Sequence, residues 1–207
     1  YHPLELAYAL TLINTNDVSS LLPPWVLKNH SYVETILTKI RNTPCDLGCS
    51  YCSENLNPIH GLNRYFGYQE FRTFDDVPLQ ERAVTAALKN ESLIAVFPTG
   101  GGKSLTFQLP ALMSRSNTRG LTVVISPLQS LMKDQVDNLE EKNITAAVTI
   151  NGLLDPIQKK KAIDRVADGS VSILYIAPES LRSKTIEKLL IGRHIIRFVI
   201  DEAHCFS

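Results

Sequence analysis

The sequence predicts an α/β fold in which helices cover both faces of a parallel sheet, preceded by a small helical segment that contains cysteines. From residue 93 onward, short apolar runs alternate with helical patterns, which is typical of parallel strands joined by helical crossovers. Polar motifs directly follow several of these runs, and ligands gather at the C-terminal ends of parallel strands. We therefore expect a helical unit over residues 1–61 and an α/β domain over residues 62–207.

The composition is that of an ordinary globular protein. The 207 residues are 44% hydrophobic, and their 21 basic and 21 acidic side chains give no net charge. This balance argues against a protein that coats DNA through charge alone, because non-specific binding is mostly phosphate neutralisation. There is no run of 18 apolar residues, so we expect no transmembrane helix. We also expect a cytoplasmic location. Without an initiator methionine or a signal-peptide pattern, the sequence is expected to be part of a longer polypeptide.

Helical patterns dominate residues 1–42. Residues 4–13 combine helical propensity with a broad apolar face, and a turn at residues 23–24 precedes a second helix. Over residues 31–40, apolar side chains recur at helical spacing, as at Val33, Ile36 and Ile40. A packing or linker module is the simplest interpretation. A helical DNA-binding element is the alternative, although no basic stripe supports it.

Three of the four cysteines, Cys45, Cys49 and Cys52, lie within eight residues, and His60 follows them. A cytosolic protein seldom uses such clustering for disulfides. The spacing, with a glycine turn between the thiols, suits a tetrahedral Zn²⁺ site formed by these four side chains. An iron–sulfur cluster and free thiols are the alternatives. The same spacing is similar to the cluster loop of radical-SAM enzymes, but no barrel strand precedes it here.

The α/β part is organised around a glycine-rich stretch, Pro98-Thr99-Gly100-Gly101-Gly102-Lys103-Ser104. It follows the apolar run 93–97, which predicts a buried strand, and it precedes residues 105–109, which predict the start of a helix. Glycines let backbone N–H groups surround a phosphate, and a helix N-terminus adds partial positive charge. Lys103 would reach the β- and γ-phosphates of a nucleotide, and the Ser104 hydroxyl would bind Mg²⁺. Phe97 stands where the strict pattern has glycine, so an ordinary glycine turn is the alternative on this stretch alone.

A second motif follows the apolar run 195–200, which predicts another strand. The next residues are Asp201, Glu202, Ala203 and His204. A carboxylate at the end of a strand can hold Mg²⁺ while its neighbour polarises a water molecule, and we assign these roles to Asp201 and Glu202. Together, the two motifs predict hydrolysis of a nucleoside triphosphate with Lys103 stabilising the phosphates.

Three further apolar runs predict strands at residues 121–125, 146–150 and 171–176. Helical patterns over residues 128–139 and from residue 155 onward separate these runs. The first and the last of the three runs end in polar loops, at residues 126–128 and 177–180. The sequence therefore predicts five parallel strands with their functional loops at one edge of the sheet.

The motifs P-T-G-G-G-K-S, S-P-L-Q-S-L-M-K-D-Q-V and D-E-A-H-C-F-S, in this order, resemble those of the first motor domain of RecQ-family DNA helicases. The resemblance covers residues 62–207. It implies a RecA-like P-loop fold with a DEAH box, and unwinding of DNA in repair and recombination, driven by ATP and Mg²⁺. It also implies a second RecA-like domain that supplies an arginine finger, so we expect the isolated chain to be inactive in unwinding. Residues 1–61 are not part of the family pattern, and the family's own zinc site follows the motor.

By the same resemblance, Tyr68 stacks on adenine, Arg72 lies near it and Gln80 reads the edge of the base. The chain departs from the family in the segment 73–79, which has more residues than the usual linker before the glutamine. Among the phosphate-loop residues, the resemblance covers Thr99, Gly100, Gly101, Gly102, Lys103 and Ser104.

The resemblance also implies a DNA-binding edge. Ser126, Gln129 and Ser180 would hold the backbone of single-stranded DNA or of a duplex junction. His204 would link the ATP site to DNA movement. Two other classes remain as alternatives: a different P-loop ATPase, and a nucleic-acid-binding module without unwinding activity.

Overall fold

The computed structural model describes residues 2–15, 26, 29–30, 32–45, 48–98, 100–118 and 120–205. The first part of the chain is helical, as predicted. Its helices are α1 (Pro3–Thr15), α2 (Tyr32–Asn42), α3 (Ser50–Asn55), α4 (Pro58–Phe66) and α5 (Leu79–Leu88). The turn predicted at residues 23–24 lies outside the described residues. None of the helices in the described ranges is both long enough and apolar enough to cross a membrane.

The second part of the chain alternates helices and strands. Its elements are α6 (Leu105–Thr118), β1 (Leu121–Ile125), α7 (Gln129–Glu140), β2 (Ala147–Ile150), α8 (Pro156–Ala167), β3 (Ile173–Ile176), α9 (Lys184–Ile191) and β4 (Ile195–Ile200). Short 3-10 helices follow β3 at Pro178–Arg182 and β4 at Ala203–Cys205. Four of the five predicted strands are therefore confirmed, to within two residues at their ends.

The N-terminal helices pack on one another and on the α/β part. Ala9, Val33 and Ile36 are buried together between α1 and α2, and α2 also contacts α6. Helix α4 approaches α6 closely, since a Cβ atom on Gly61 would lie only 2.6 Å from the Met113 sulfur. The predicted boundary after residue 61 lies inside α4, and the division into two units stays a prediction.

The four strands form one parallel sheet in the order β2-β3-β1-β4. In its centre, Val123 lies between Leu174 on one side and Phe198 on the other. All strands run in the same direction, so their C-terminal ends lie along one edge. The loops after β1, β3 and β4, which carry several of the predicted functional residues, therefore meet at this edge.

Helices cover both faces of the sheet, which confirms the predicted α/β architecture. On one face, side chains of α6 and α7 pack against Val124 and Tyr175. On the other face, side chains of α8 and α9 pack against Val123 and Leu174. Neighbouring residues of each strand point to opposite faces, so both faces receive apolar side chains from the same strands.

The strand predicted at residues 93–97 is wrong. Residues 91–98 adopt no regular secondary structure, and the side chains of Ile94 and Val96 are 95% and 81% exposed. A strand is stable only beside a hydrogen-bonded neighbour. Within the described part of the chain, no backbone hydrogen bond joins residues 93–97 to the sheet. An apolar run therefore leads into the glycine-rich loop without being a strand.

Candidate functional site

The glycine-rich loop has a backbone that requires glycine. Gly100 and Gly102 have φ angles of 73° and 71°, in the left-handed region that side chains disfavour. Gly101 has no room for a side chain, because a Cβ atom there would lie 2.8 Å from the Pro98 carbonyl oxygen. The loop is thus built for close approach of a ligand to the backbone. Thr99, which we also assigned to this loop, lies outside the described residues.

Lys103 and Ser104 follow the glycines and lead into α6. The backbone turns into the helix here, with the Thr106 N–H donating to the Lys103 carbonyl at 3.0 Å and the Gln108 N–H donating to the Ser104 carbonyl at 2.9 Å. The first N–H groups of a helix lack partners within the helix and carry partial positive charge. An anion such as a phosphate is therefore stabilised at this end of α6.

The acidic motif meets the glycine-rich loop at the edge of the sheet. Asp201 continues from β4 and donates its N–H to the Ile125 carbonyl at 2.9 Å. The next residue, Glu202, has a φ of 51°, so the chain turns sharply after the strand. Its carboxylate lies 3.2 Å from the Lys103 Nζ through Oε1 and 3.4 Å from the His204 Nδ1 through Oε2. The structure thus brings together Lys103, Glu202 and His204, as the two motifs predict.

Asp201 is a half-buried carboxylate in this cluster. Burial raises its pKa above the ordinary value, and the negative charge of Glu202 adds to the rise. The Glu202 N–H, which donates to the Asp201 Oδ1 at 3.0 Å, and the Lys103 ammonium oppose the shift. Because burial disfavours the ionised form of Asp201, a cation bound beside this carboxylate would stabilise the ionised form strongly. This chemistry fits Mg²⁺ held by Asp201 and the Ser104 hydroxyl at the start of α6.

Arg72 and Gln80, assigned to the base of the nucleotide, lie against the glycine-rich loop. The Arg72 Nη1 donates to the Gly100 carbonyl at 3.2 Å, and the Gln80 Nε2 donates to the Gly102 carbonyl at 3.2 Å. The Gln80 side chain is buried at the start of α5, where its Oε1 accepts the Arg72 N–H at 3.1 Å. Both side chains therefore contact the loop that would hold the phosphates.

Tyr68 has different neighbours. Its ring stacks on Phe66 with centroids 6.5 Å apart, and the Lys142 Nζ lies 5.9 Å from the ring centroid. The side chain is 49% exposed, which leaves ring surface accessible to a ligand. The contacts of Tyr68 do not join it to the glycine-rich loop, and its role in base stacking stays a prediction.

The residues assigned to DNA lie at the C-terminal ends of β1 and β3. Ser126 is buried, and its N–H donates to the Ile176 carbonyl at 3.1 Å. Gln129, at the start of α7, donates to the Glu179 carboxylate at 3.4 Å, and Glu179 precedes the half-buried Ser180. The two loops are therefore joined. No role was assigned from the sequence to Glu179, which accepts this hydrogen bond. The available signal was a carboxylate beside Ser180 in a polar loop.

The three clustered cysteines converge. Their sulfur atoms all lie within 4.8 Å of one another, with 3.5 Å between Cys49 and Cys52 and 3.6 Å between Cys52 and Cys45. Two backbone N–H groups donate to sulfur, from Cys45 to Cys52 at 3.4 Å and from Cys49 to Cys45 at 3.3 Å. None of these three described cysteines is in a disulfide. The group could hold a metal ion, whereas His60 is exposed and is not a member of it.

Sequence reasoning also missed a buried polar network beneath the site. The Gln108 Nε2 on α6 donates to the Tyr175 hydroxyl on β3 at 2.9 Å and to the Gln135 Oε1 on α7 at 2.8 Å. Burial raises the pKa of Tyr175, so the phenol is neutral, and the nearby Asp201 carboxylate acts in the same direction. The available signal for this network was a polar residue, Gln108, between the apolar Phe107 and Leu109 on a buried helix. The network ties the helix after the glycine-rich loop to both neighbouring elements.

Comparison with known proteins identifies relatives of the α/β part. Residues 77–207 match the family described as DEAD/DEAH box helicase. The chain is 44% identical over 146 residues to the ATP-dependent DNA helicase RecQ of Bacillus subtilis, covering 70% of this chain and 23% of that protein. It is 37% identical over 155 residues to the ATP-dependent helicase SGS1 of Saccharomyces cerevisiae, covering 72% of this chain and 10% of that protein. The chain thus spans less than a quarter of the length of these two relatives.

Proposed function

Because the chain belongs to the DEAD/DEAH box helicase family, we propose that it forms the first RecA-like motor domain of a RecQ-type ATP-dependent DNA helicase. The contact of 3.2 Å between Lys103 and Glu202 carries the proposal. It joins the phosphate-binding loop to the acidic motif, the two parts that hydrolysis of a nucleoside triphosphate requires. The relatives' names, which specify ATP and DNA, support the same activity for the protein to which this chain belongs.

In this proposal, the catalytic residues divide the work of in-line attack by water on the γ-phosphate. The loop N–H groups and Lys103 neutralise charge that builds up on the phosphate oxygens. Ser104 and Asp201 hold Mg²⁺, which when bound offsets further negative charge. Glu202 orients the attacking water and accepts its proton. His204, whose Nδ1 lies 3.4 Å from the Glu202 carboxylate, would couple changes at this carboxylate to movement of the loops that contact DNA.

In the structure, the Lys103 Nζ is paired with the Glu202 carboxylate at 3.2 Å. ATP binding must exchange this carboxylate for a phosphate on the Lys103 ammonium, and the exchange releases Glu202 to act on water. The contact between Lys103 and Glu202 therefore couples nucleotide binding in the loop to the availability of Glu202 as the general base. We propose that Tyr68, Arg72 and Gln80 select adenine beside this loop. Gln80 would then exchange its contacts with the Gly102 carbonyl and the Arg72 N–H for contacts with the base.

DNA would bind along the joined loops after β1 and β3. Gln129 and Ser180 would donate hydrogen bonds to phosphates or sugars of a single strand at a junction. Ser126, which we also assigned to DNA, has a buried side chain and would instead support the loop through the hydrogen bond from its N–H to the Ile176 carbonyl. We propose a second RecA-like domain in the same polypeptide, which would complete the ATP site with an arginine, a contribution of about 10³–10⁵ in rate in related enzymes. The protein would act on DNA in repair and recombination in the cytoplasm, and on the nucleoid if its source is bacterial.

Hydrolysis of ATP by the full-length protein tests this function. We expect single-stranded DNA to raise the rate of hydrolysis, and a duplex with a single-stranded tail to be separated only when ATP and Mg²⁺ are present. Phosphate release and strand separation are measured on the same preparation. Hydrolysis that does not respond to DNA would assign the chain to a different class of P-loop ATPase. DNA binding without hydrolysis would assign it to the nucleic-acid-binding modules.

We further propose that the cysteine cluster holds one Zn²⁺ ion. At a Zn–S distance of about 2.3 Å, a tetrahedral ion places its sulfur ligands about 3.8 Å apart, close to the 3.5 and 3.6 Å between the sulfur atoms here. In a four-iron, four-sulfur cluster, by contrast, each of four cysteines binds its own iron, so the sulfur atoms lie farther apart than on a single ion. The Cys45 N–H that donates to sulfur lowers the pKa of the Cys52 thiol, but desolvation and the neighbouring thiols of Cys49 and Cys45 raise that pKa overall, so a bound cation would have to stabilise the thiolates. His60, which lies outside the group of three sulfur atoms in this structure, would have to move towards it to serve as the proposed fourth ligand.

The zinc ion would order its segment. Helix α3, which carries Cys52, has no buried residue, so apolar packing contributes little to its stability and ligand binding would contribute much. We expect protein purified without added metal to contain about one zinc per chain with no visible absorbance, and Cys52→Ser to lose it. Cys205→Ser, outside the cluster, is the matched control and should retain the metal.

Elemental analysis with thiol titration distinguishes the outcomes. Brown protein that contains iron and sulfide would contradict zinc in favour of a cluster. Metal-free protein with three titratable thiols in this segment would contradict any metal site. Loss of zinc in His60→Ala supports His60 as the fourth ligand, whereas an unchanged zinc content would contradict that assignment.

A further inference from the structure

A tight turn at residues 74–77 stands beside the phosphate-binding loop. Phe74 and Val77 exchange two backbone hydrogen bonds of 2.9 Å each. Between them, Asp75 and Asp76 have φ angles of 48° and 60°. Positive φ at both central residues is the mark of a type I′ turn, which aspartate tolerates better than most residues. The turn holds Phe74 in a fixed position at one end of the bridge.

The Phe74 ring packs on the loop itself. It meets the Phe97 ring edge to face, with centroids 5.6 Å apart and planes at 67°. It also covers Gly101, where a Cβ atom would lie 3.3 Å from the Phe74 Cζ. Phe97 occupies the place of the first glycine in the strict loop pattern. The two aromatic rings therefore form a contact that the loop would lack with glycine at that place.

Phe74 lies between two polar contacts to the same loop. Arg72 binds the Gly100 carbonyl and Gln80 binds the Gly102 carbonyl, each at 3.2 Å. The stretch 72–80 thus contacts Gly100, Gly101 and Gly102 in turn. Because a peptide unit is planar, a hydrogen bond to the Gly102 carbonyl also fixes the direction of the next N–H group, and phosphate binding depends on such directions.

We propose that Phe74 is a positioning residue for the nucleotide phosphates, acting through Phe97 and Gly101. The turn 74–77 holds the ring against the loop, and the ring keeps the loop in the conformation that binds phosphate before a nucleotide arrives. Preorganisation of this kind raises affinity because less ordering remains for the ligand to supply. The inference rests on the proposed ATP-binding function. It concerns the stretch in which the chain departs from the RecQ pattern, so the resemblance does not supply it.

The choice of ligand distinguishes positioning of the loop from contact with the base. Affinities of ADP and of inorganic pyrophosphate, each with Mg²⁺, are measured by calorimetry on the full-length protein. Phe74→Ala removes the aromatic contact, and we expect both dissociation constants to rise by the same factor of about three- to tenfold. Phe74→Leu keeps most of the apolar volume and should have an intermediate effect. Ile157→Ala, at a side chain 69% exposed on α8, is the control and should change neither value.

Each result has a definite meaning. Weaker ADP binding with unchanged pyrophosphate binding would overturn the proposal, because Phe74 would then contact the base or sugar. Both affinities within twofold of wild type in both Phe74 variants would overturn it as well, leaving the ring with a packing role. If wild-type protein bound neither ligand, the proposed ATP-binding function itself would fail, which is a separate outcome from either of these.

Discussion

Replacing Lys103 with alanine is expected to lower ATP turnover of the full-length protein by about 100-fold or more, the effect of losing one preorganised charge-stabilising group. Lys103 is the cation at the end of the glycine-rich loop, and its Nζ lies 3.2 Å from the Glu202 carboxylate. Without Lys103, no ammonium group stabilises the negative charge on the transferring phosphate from this position, and the Glu202 carboxylate loses its ion-pair partner. The side chain is partly exposed, so the fold should be retained.

Phosphate release measured over a range of ATP concentrations separates loss of affinity from loss of chemistry. Lys160→Ala, which removes the same charge from an exposed position on α8, is the matched control and should keep wild-type turnover. Circular dichroism of both variants checks that the fold is kept. Turnover of Lys103→Ala within tenfold of wild type would contradict the assignment of residues 98–104 as the phosphate-binding loop.

Much of the fold could be predicted because its signals are local. Apolar runs with β-branched residues marked β1 to β4, and helical spacing marked the helices between them. The run 93–97 carried the same signal and formed no strand. Whether an apolar run becomes a strand depends on a neighbour elsewhere in the chain, which periodicity does not report. The sequence therefore predicted the four strands of the sheet and overestimated their number.

The candidate site was predicted where a motif specifies backbone and side chains together. The two motifs indicated parts of one site, and the structure places the Lys103 Nζ 3.2 Å from the Glu202 carboxylate, although the glycine-rich loop does not follow a strand. The spacing of the cysteines anticipated that their sulfur atoms converge. The position of Phe74 was not predicted, because its turn carries two aspartates instead of the glycine that usually marks a type I′ turn. The contacts of Gln108 were missed for a related reason, since a helical pattern shows that a polar residue is buried but not what it binds.

The second large effect is expected from Glu202→Gln, which should abolish most hydrolysis while ATP binding is retained. An amide can still accept a hydrogen bond from water, but it is a far weaker base, and loss of general base catalysis lowers rates by about 100-fold or more. The left-handed backbone at residue 202 is kept because glutamine has the same shape as glutamate. The variant therefore removes the negative charge of the side chain while keeping its size and shape.

The pairing of Lys103 with Glu202 adds a second expectation for the same variant. In the wild type, ATP must displace the Glu202 carboxylate from the Lys103 ammonium. A neutral amide competes less well for this ammonium, because hydrogen bonds between ionised groups are stronger than those with one neutral partner. ATP affinity of Glu202→Gln should therefore equal or exceed that of the wild type. Calorimetry with ATP and Mg²⁺ measures the affinity, and phosphate release on the same sample measures the chemistry.

The matched control is Glu187→Gln, which removes the same charge from an exposed position on α9 and should change neither measurement. If Glu202→Gln lost ATP binding, Glu202 would be a structural residue that holds Lys103 in place, and water activation would have to come from another group. If it hydrolysed ATP at the wild-type rate, the D-E-A-H motif would have no role as a base. Retained binding with lost hydrolysis is the result that the geometry of Lys103, Glu202 and His204 leads us to expect.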